Sequence, residues 1–207
     1  MADELSLSTT VGWTNILEEY FASTGEKAHC LSWLHKRAEA MFSHRTIFLD
    51  LPTIIIGAVN GFMSVGAKQI FPNDDFASVY IGVIALFVSL LNTINSYFSW
   101  SRRAEGHRIS ALQYSKLFRF LAIEMSLPRS QRMSPAELLK YTKEAYDRLS
   151  EISPLVPSTI IEDFQKKFAD PKYKTISRPE ETNGLEHIVI FREPEESVPI
   201  AYIDEKE

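Results

Sequence analysis

Two uncharged runs constrain this chain more than any other feature. Residues 51–67, "LPTIIIGAVNGFMSVGA", hold no charge, and extending upstream to Thr46 gives 22 residues with Asp50 as the only charge; residues 76–101 are 26 residues with none. At about 1.5 Å per residue, a helix of roughly 20 residues covers about 30 Å, the hydrocarbon thickness of a bilayer. A buried helical hairpin in a soluble protein is the competing reading, and the glycines, serines and asparagines inside both runs suit it. Length argues the other way. Soluble helices average about 11 to 12 residues and keep a polar stripe, whereas residues 81–91 are apolar on every face except at Ser89. The expectation is an all-α membrane protein with transmembrane helices over 46–67 and 76–101. Between them "KQIFPNDD", residues 68–75, supplies turn chemistry in Pro72 and Asn73, so the spans form an antiparallel hairpin.

The mean hydropathy of -0.11 hides this segregation, and the formal charge of -5 hides another. Residues 1–26 hold five acids and no Lys or Arg, residues 27–169 hold 17 bases against 12 acids, and residues 170–207 hold five bases against ten acids. A basic middle flanking apolar runs suits lipid headgroups, and an acidic total argues against nucleic acid as a partner. Lys27, Lys36, Arg37 and Arg45 precede the first span, and Arg102, Arg103, Arg108, Lys116 and Arg119 follow the second. By the positive-inside rule both termini are cytosolic and the 68–75 loop faces the other side. Arg45, Trp100, Arg102 and Arg103 then mark the membrane boundary. Cys30 is the sole cysteine, so no internal disulfide forms, and the polar, acidic start is unlike a signal peptide.

The remainder reads as helices and a tail. Residues 1–13 are expected to be disordered. Asn15 and Glu18 stand at capping-box spacing for a short helix closed at Gly25. From residue 26 to 50, Leu31, Leu34, Ala38, Met41 and Phe42 make one helical stripe leading into the membrane, and Pro52 is expected to kink that helix or start a new one. After the second span the helix should continue over 102–127, with Tyr114, Leu117, Phe118, Leu121 and Met125 on one face. "SPAE", 134–137, starts another helix, 134–152, carrying the stripe Leu138, Tyr141, Ala145, Leu149 and Ile152. A last short helix falls within 153–169. These helices, with 14–45, are expected to pack as a cytosolic bundle, and 170–207 reads as a flexible acidic tail in which "HIVIF" and "VPIAYI" are isolated apolar patches.

Chemistry has little support. Glu105 and His107 are two apart, so a helix points them to different sides. His29, Cys30, His35 and His44 include no pair at the three- or four-residue spacing that places ligands on one helix face. No phosphate loop or nucleophile elbow occurs, and no catalytic residue, metal or cofactor is expected. The polar residues of the spans are more informative. Ser89, Asn92, Ser96 and Ser99 recur at steps of three, four and three, with Asn95 beside them; Asn60 and Ser64 share a face of the first span, and Gly57 and Gly61 allow close helix packing. Two uses fit: hydrogen bonds between spans or subunits, or a wet stripe in an oligomeric pore.

The layout of "LSWLHKRAEAMFSHR", "LPTIIIGAVNG", a second span ending in asparagines, and "RRAEGHRISALQYSKLFRFLAIEMSL" resembles the SLATT family over residues 12–149. In that pattern an alanine-glutamate-x-histidine segment leads to a tyrosine, here Ala104, Glu105, His107 and Tyr114. The resemblance implies a two-transmembrane hairpin with cytosolic helices, acting as an effector that forms pores or disturbs a membrane when a nucleotide-sensing partner signals. The chain also resembles proteins of large DNA viruses of eukaryotes. The chain departs from the pattern in showing no sensor or nucleotide-generating domain and in adding the acidic tail. Two functions are carried forward. One is a self-associating, pore-forming membrane protein; the other is a structural anchor, for example in a virion's internal membrane, that holds a cytosolic protein through 102–152 or 170–207.

Overall fold

The computed structural model describes residues 12–72 and 76–183, and among these every regular element is helical. The patches at 187–191 and 198–203, Asn73 in the loop and residues 1–11 of the stretch expected to be disordered, 1–13, lie outside the described residues; Trp13 of that stretch packs on Phe21, centroids 5.8 Å apart. The longest element is α1, Asn15–Ile70, 56 residues without a break. It begins at Thr14, whose side chain accepts from the Leu17 amide at 3.2 Å. The cap is therefore one residue before the expected Asn15. Gly25 does not close a helix: it lies inside α1, where a Cβ would sit 3.5 Å from Leu121 Cβ, so its lack of a side chain brings the helices together. Pro52 also lies inside α1, and no new helix starts there. The Thr53 hydroxyl donates to the Leu49 carbonyl at 2.7 Å, adding a bond beside the one the proline ring removes.

The chain returns in two helices, α2 (Ala77–Phe98) and α3 (Trp100–Ser126). The expected continuous passage from span to following helix is broken at Ser99, which has φ 49° and ψ 41°, a left-handed conformation at a non-glycine residue. Both helices run antiparallel to α1 along nearly its whole length. Gly25 faces Leu121, the Ser32 hydroxyl donates to the Ala111 carbonyl at 2.9 Å, and a Cβ on Gly57 would lie 3.6 Å from Val88. The hairpin and the lead-in helices are thus one long pair rather than a hairpin with a separate module.

The end of the pair distal to Ile70 and Ala77 is covered by α4 (Pro135–Ile152) and α5 (Ser158–Lys167). Ser134 caps α4: its Oγ accepts from the Glu137 amide at 3.4 Å while its hydroxyl donates to the Glu137 carboxylate at 2.8 Å, and Pro135 occupies the first turn. One core joins Phe21, Leu31 and Leu34 of α1, Tyr114, Leu117 and Leu121 of α3, Leu138 and Leu149 of α4, and Ile160 and Phe164 of α5. The stripe on α4 is shifted from expectation. Tyr141 and Ile152 are exposed and Thr142 is buried instead: Tyr141 meets α3 only at the rim, its ring 4.7 Å from that of Phe120, while Leu138, Thr142 and Leu149 are among the buried positions of α4. The tail differs as well. Its first part, with the short helix α6 (Glu180–Asn183), packs back on the bundle: the Ser177 amide donates to Glu26 at 2.7 Å, the Gln165 side chain donates to the Thr182 carbonyl at 3.1 Å, and Pro179 and Thr182 are buried.

Candidate functional site

Two polar constellations interrupt the apolar length of the helix pair. The first lies among the long apolar segments, where α1 and α2 are each long and apolar enough to cross a membrane. Their large side chains face outward: Phe48, Ile54, Phe62, Val65, Val83 and Leu86 are all exposed by 60 % or more. Of the predicted polar stripe, Ser89, Asn92 and Ser96 line a shallow groove on the outer surface of α2, with Thr93 and Tyr97. Asn95 is turned inward, and its amide donates to the Asp50 carboxylate of α1 at 2.5 Å. Ser99 ends the helix, its hydroxyl donating to the Ser96 carbonyl at 2.8 Å, so it belongs to the helix break rather than the stripe. Asn60 is buried with its Oδ1 unpartnered among the described residues, while Ser64 one turn on is exposed. The two do not act together. Gly57 meets α2 at Val88, but nothing lies within 4 Å of a Cβ on Gly61, so only the first glycine packs. Of the residues expected to mark a membrane boundary, Trp100 stacks on Phe98 with centroids 5.3 Å apart, Arg45 lies 5.8 Å from the centre of the Phe42 ring, and Arg102 and Arg103 are exposed.

The second constellation is a pair of imidazoles that no local spacing could reveal. His35 of α1 and His107 of α3 bring their Nδ1 atoms to 2.8 Å, with 2 % and 1 % of each residue exposed. One Nδ1 must carry a proton and the other must be bare, and with burial disfavouring the charged form of both rings, the two are neutral and of opposite tautomer at that edge. Aromatic rings close the pair on both sides: Tyr114 stacks on His35 at 5.6 Å and Phe42 on His107 at 5.4 Å. Burial, reinforced by the neighbouring His107, pushes the His35 pKa down to about 4, and burial lowers that of His107. Tyr114 is raised by burial, partly offset by hydroxyls of Ser153 and Ser150. Of the family-like residues, Ala104, His107 and Tyr114 therefore face the core. Glu105 points out to solvent, where a two-pronged bond from Arg108 at 2.7 Å holds its carboxyl below the usual range.

The signal that would have found the pair is registration rather than spacing. His35 sits on the Leu31, Leu34, Ala38 face, and His107 sits one and two turns before Ala111 and Tyr114 on the face α3 presents to α1. Two histidines on two core stripes become a pair only once the stripes are aligned. Among the described residues no group of three or more His, Cys, Asp or Glu converges to hold a metal. Burial raises the Cys30 thiol to about 11, and its Sγ lies 3.8 Å from the Ser177 carbonyl, an environment that keeps it protonated. The arrangement fixes the register of α1 against α3 and places a proton-sharing pair at the base of the apolar segments. No protein-family model, curated protein or solved structure matches the chain.

Proposed function

We propose that the chain is an integral membrane protein that self-associates through its hairpin and perturbs the membrane as a SLATT-like effector. In this reading 46–67 and 76–101 cross the bilayer, both termini are cytosolic, and α4, α5 and the paired ends of α1 and α3 form the cytosolic part. The observation that carries the proposal is the outward groove of Ser89, Asn92 and Ser96. On a helix surrounded by lipid, an unpartnered asparagine amide costs free energy that a second copy or water relieves. A structural hairpin would turn its polar residues inward, as Asn95 does toward Asp50. Here three of the five stripe residues, Ser89, Asn92 and Ser96, point away from α1, the helix that accompanies α2 among the described residues. Two spans cannot enclose a channel, so the wet path lies between copies.

The test is purified protein in dye-loaded liposomes, with insertion confirmed by protease protection of the cytosolic part. Leakage that rises steeply with protein-to-lipid ratio, and falls on Asn92→Leu with Ser96→Ala, is the expected result. Inserted protein that releases no dye at any ratio would sink the proposal.

A further inference from the structure

The bundle carries a surface that its helices do not fill. Lys36 and Arg37 of α1 and Lys166 and Lys167 of α5 line a groove of about 710 Å³ in which Asp163 is the acid, so its walls are net +3. Trp33 forms one end, with the Lys167 ammonium 5.2 Å from its ring centre. On the other side of the same indole lies an apolar cavity of about 230 Å³, walled by Trp33, Phe164, Phe168, Tyr173 and Ile176, with Arg178 at its edge. An apolar cavity beside a basic groove selects a peptide in which apolar residues are followed by acids.

We infer that this surface binds the chain's own C-terminal segment, with Phe191 in the aromatic cavity and Glu193, Glu195 and Glu196 along the basic groove. The sequence has the required order: "HIVIF", then Arg192, then "EPEE" over 193–196. Residues 184–207 hold seven acids against Arg192 and Lys206, a net -5 that complements the groove. Position agrees with charge. The described chain ends at Asn183 in α6, held to α5 by the Gln165 to Thr182 bond, while Asp163 and Lys167, two positions either side of Gln165, fall about 160° around α5 from it. Crossing a helix about 10 to 12 Å in diameter needs about four extended residues, and seven separate Asn183 from Phe191.

Anionic headgroups are the rival for the same bases, and distance disfavours them. On the membrane reading Ala40 and Lys36 stand six and ten residues before Thr46. At about 1.5 Å per residue that is roughly 9 and 15 Å from the hydrocarbon edge, beyond a headgroup layer of about 5 to 8 Å.

Carbodiimide crosslinking of the full chain in neutral-lipid discs tests this, using an equimolar mixture of isotopically light and heavy protein. The expected result is links from Lys36, Lys166 or Lys167 to Glu193, Glu195 or Glu196 within one isotopic form. Glu193→Lys with Glu195→Lys and Glu196→Lys should then raise acetylation of Lys36 and Lys166 by about threefold, the scale of an exposed ion pair. Mixed light-heavy links as abundant as same-isotope links, the mark of pairing between chains, would overturn the inference in favour of a second copy. Absence of links, with lysine protection appearing only when anionic lipid is added, would overturn it in favour of the membrane surface. Unchanged acetylation in the reversed variant would overturn it as well.

Discussion

Acid should loosen the bundle through His35 and His107, and the size of the effect can be worked out. An unfolded histidine binds a proton near pH 6.5, whereas His35 in the folded chain resists it down to about pH 4. Between those values the unfolded state holds more protons, so stability is complete above about 6.5 and falls as the pH drops through that window. For one such group the loss is about 2 kcal/mol at pH 5 and about 3 kcal/mol by pH 4. His107, also lowered by burial, adds to it. Urea unfolding of the full chain in micelles, followed by circular dichroism at pH 7.5 and 5.0, reads the difference directly. The control replaces both rings by asparagine, whose amide stands close to where Nδ1 stands and does not titrate. His35→Asn with His107→Asn should flatten the dependence in this window. Equal wild-type stability at the two pH values, or an unchanged slope in the double variant, would refute the reasoning.

Other perturbations isolate single features. Ser99→Gly should raise stability by about 1 kcal/mol, because glycine takes the left-handed conformation without the steric cost that serine meets; thermal unfolding checks the sign. Thr142 is fully buried with an unpartnered hydroxyl among the described residues, so Thr142→Val, nearly equal in shape, should stabilise by about 1 kcal/mol on denaturant unfolding. The Glu18 carboxyl is held at about 2 by hydrogen bonds from Arg129 and Arg132. Its contribution is present above about pH 4.5 and is lost as pH falls toward 2, below the histidine window. Glu18→Gln should remove that lower step from an acid titration followed by Trp13 fluorescence, since Arg132 lies 4.9 Å from the Trp13 ring centre.

What the sequence revealed and what it concealed divide along one physical line. Features decided within a few residues were legible: the apolar lengths, the Ser134 cap, and the face of α1 that buries Leu31, Leu34, Ala38 and Phe42. Features decided by the partner helix were not. Gly25 reads as a stop, because glycine is a weak helix former, yet the close approach of Leu121 keeps α1 continuous through it. Ser89, Asn92, Ser96 and Ser99 read as one stripe with Asn95 beside it, but α1 takes Asn95 for Asp50, Ser99 ends the helix, and the other three are left outside. His35 and His107 are 72 positions apart, and only the register of two helices makes them neighbours.

That register bears on how a signal at the bundle would reach the polar groove. Under the proposed function, the two legs of the long pair are mechanically unequal. α1 runs unbroken from the bundle to the turn, roughly 84 Å for its 56 residues, and carries any displacement along its whole length. The returning leg is cut at Ser99, the positive-φ non-glycine residue among those described, three positions after Ser96. Rotation of α2 there need not disturb α3, which His107, Ser110 and Tyr114 hold to the core. The Asn95 to Asp50 bond is the polar contact that opposes such a rotation, and turning α2 far enough to break it would carry Asn92 and Ser96 with it. Asn95→Leu should therefore lower the protein-to-lipid ratio at which liposomes leak, while Asn92→Leu raises it. If both variants shift leakage in the same direction, Asn95 belongs to the permeating stripe and Ser99 is not its pivot.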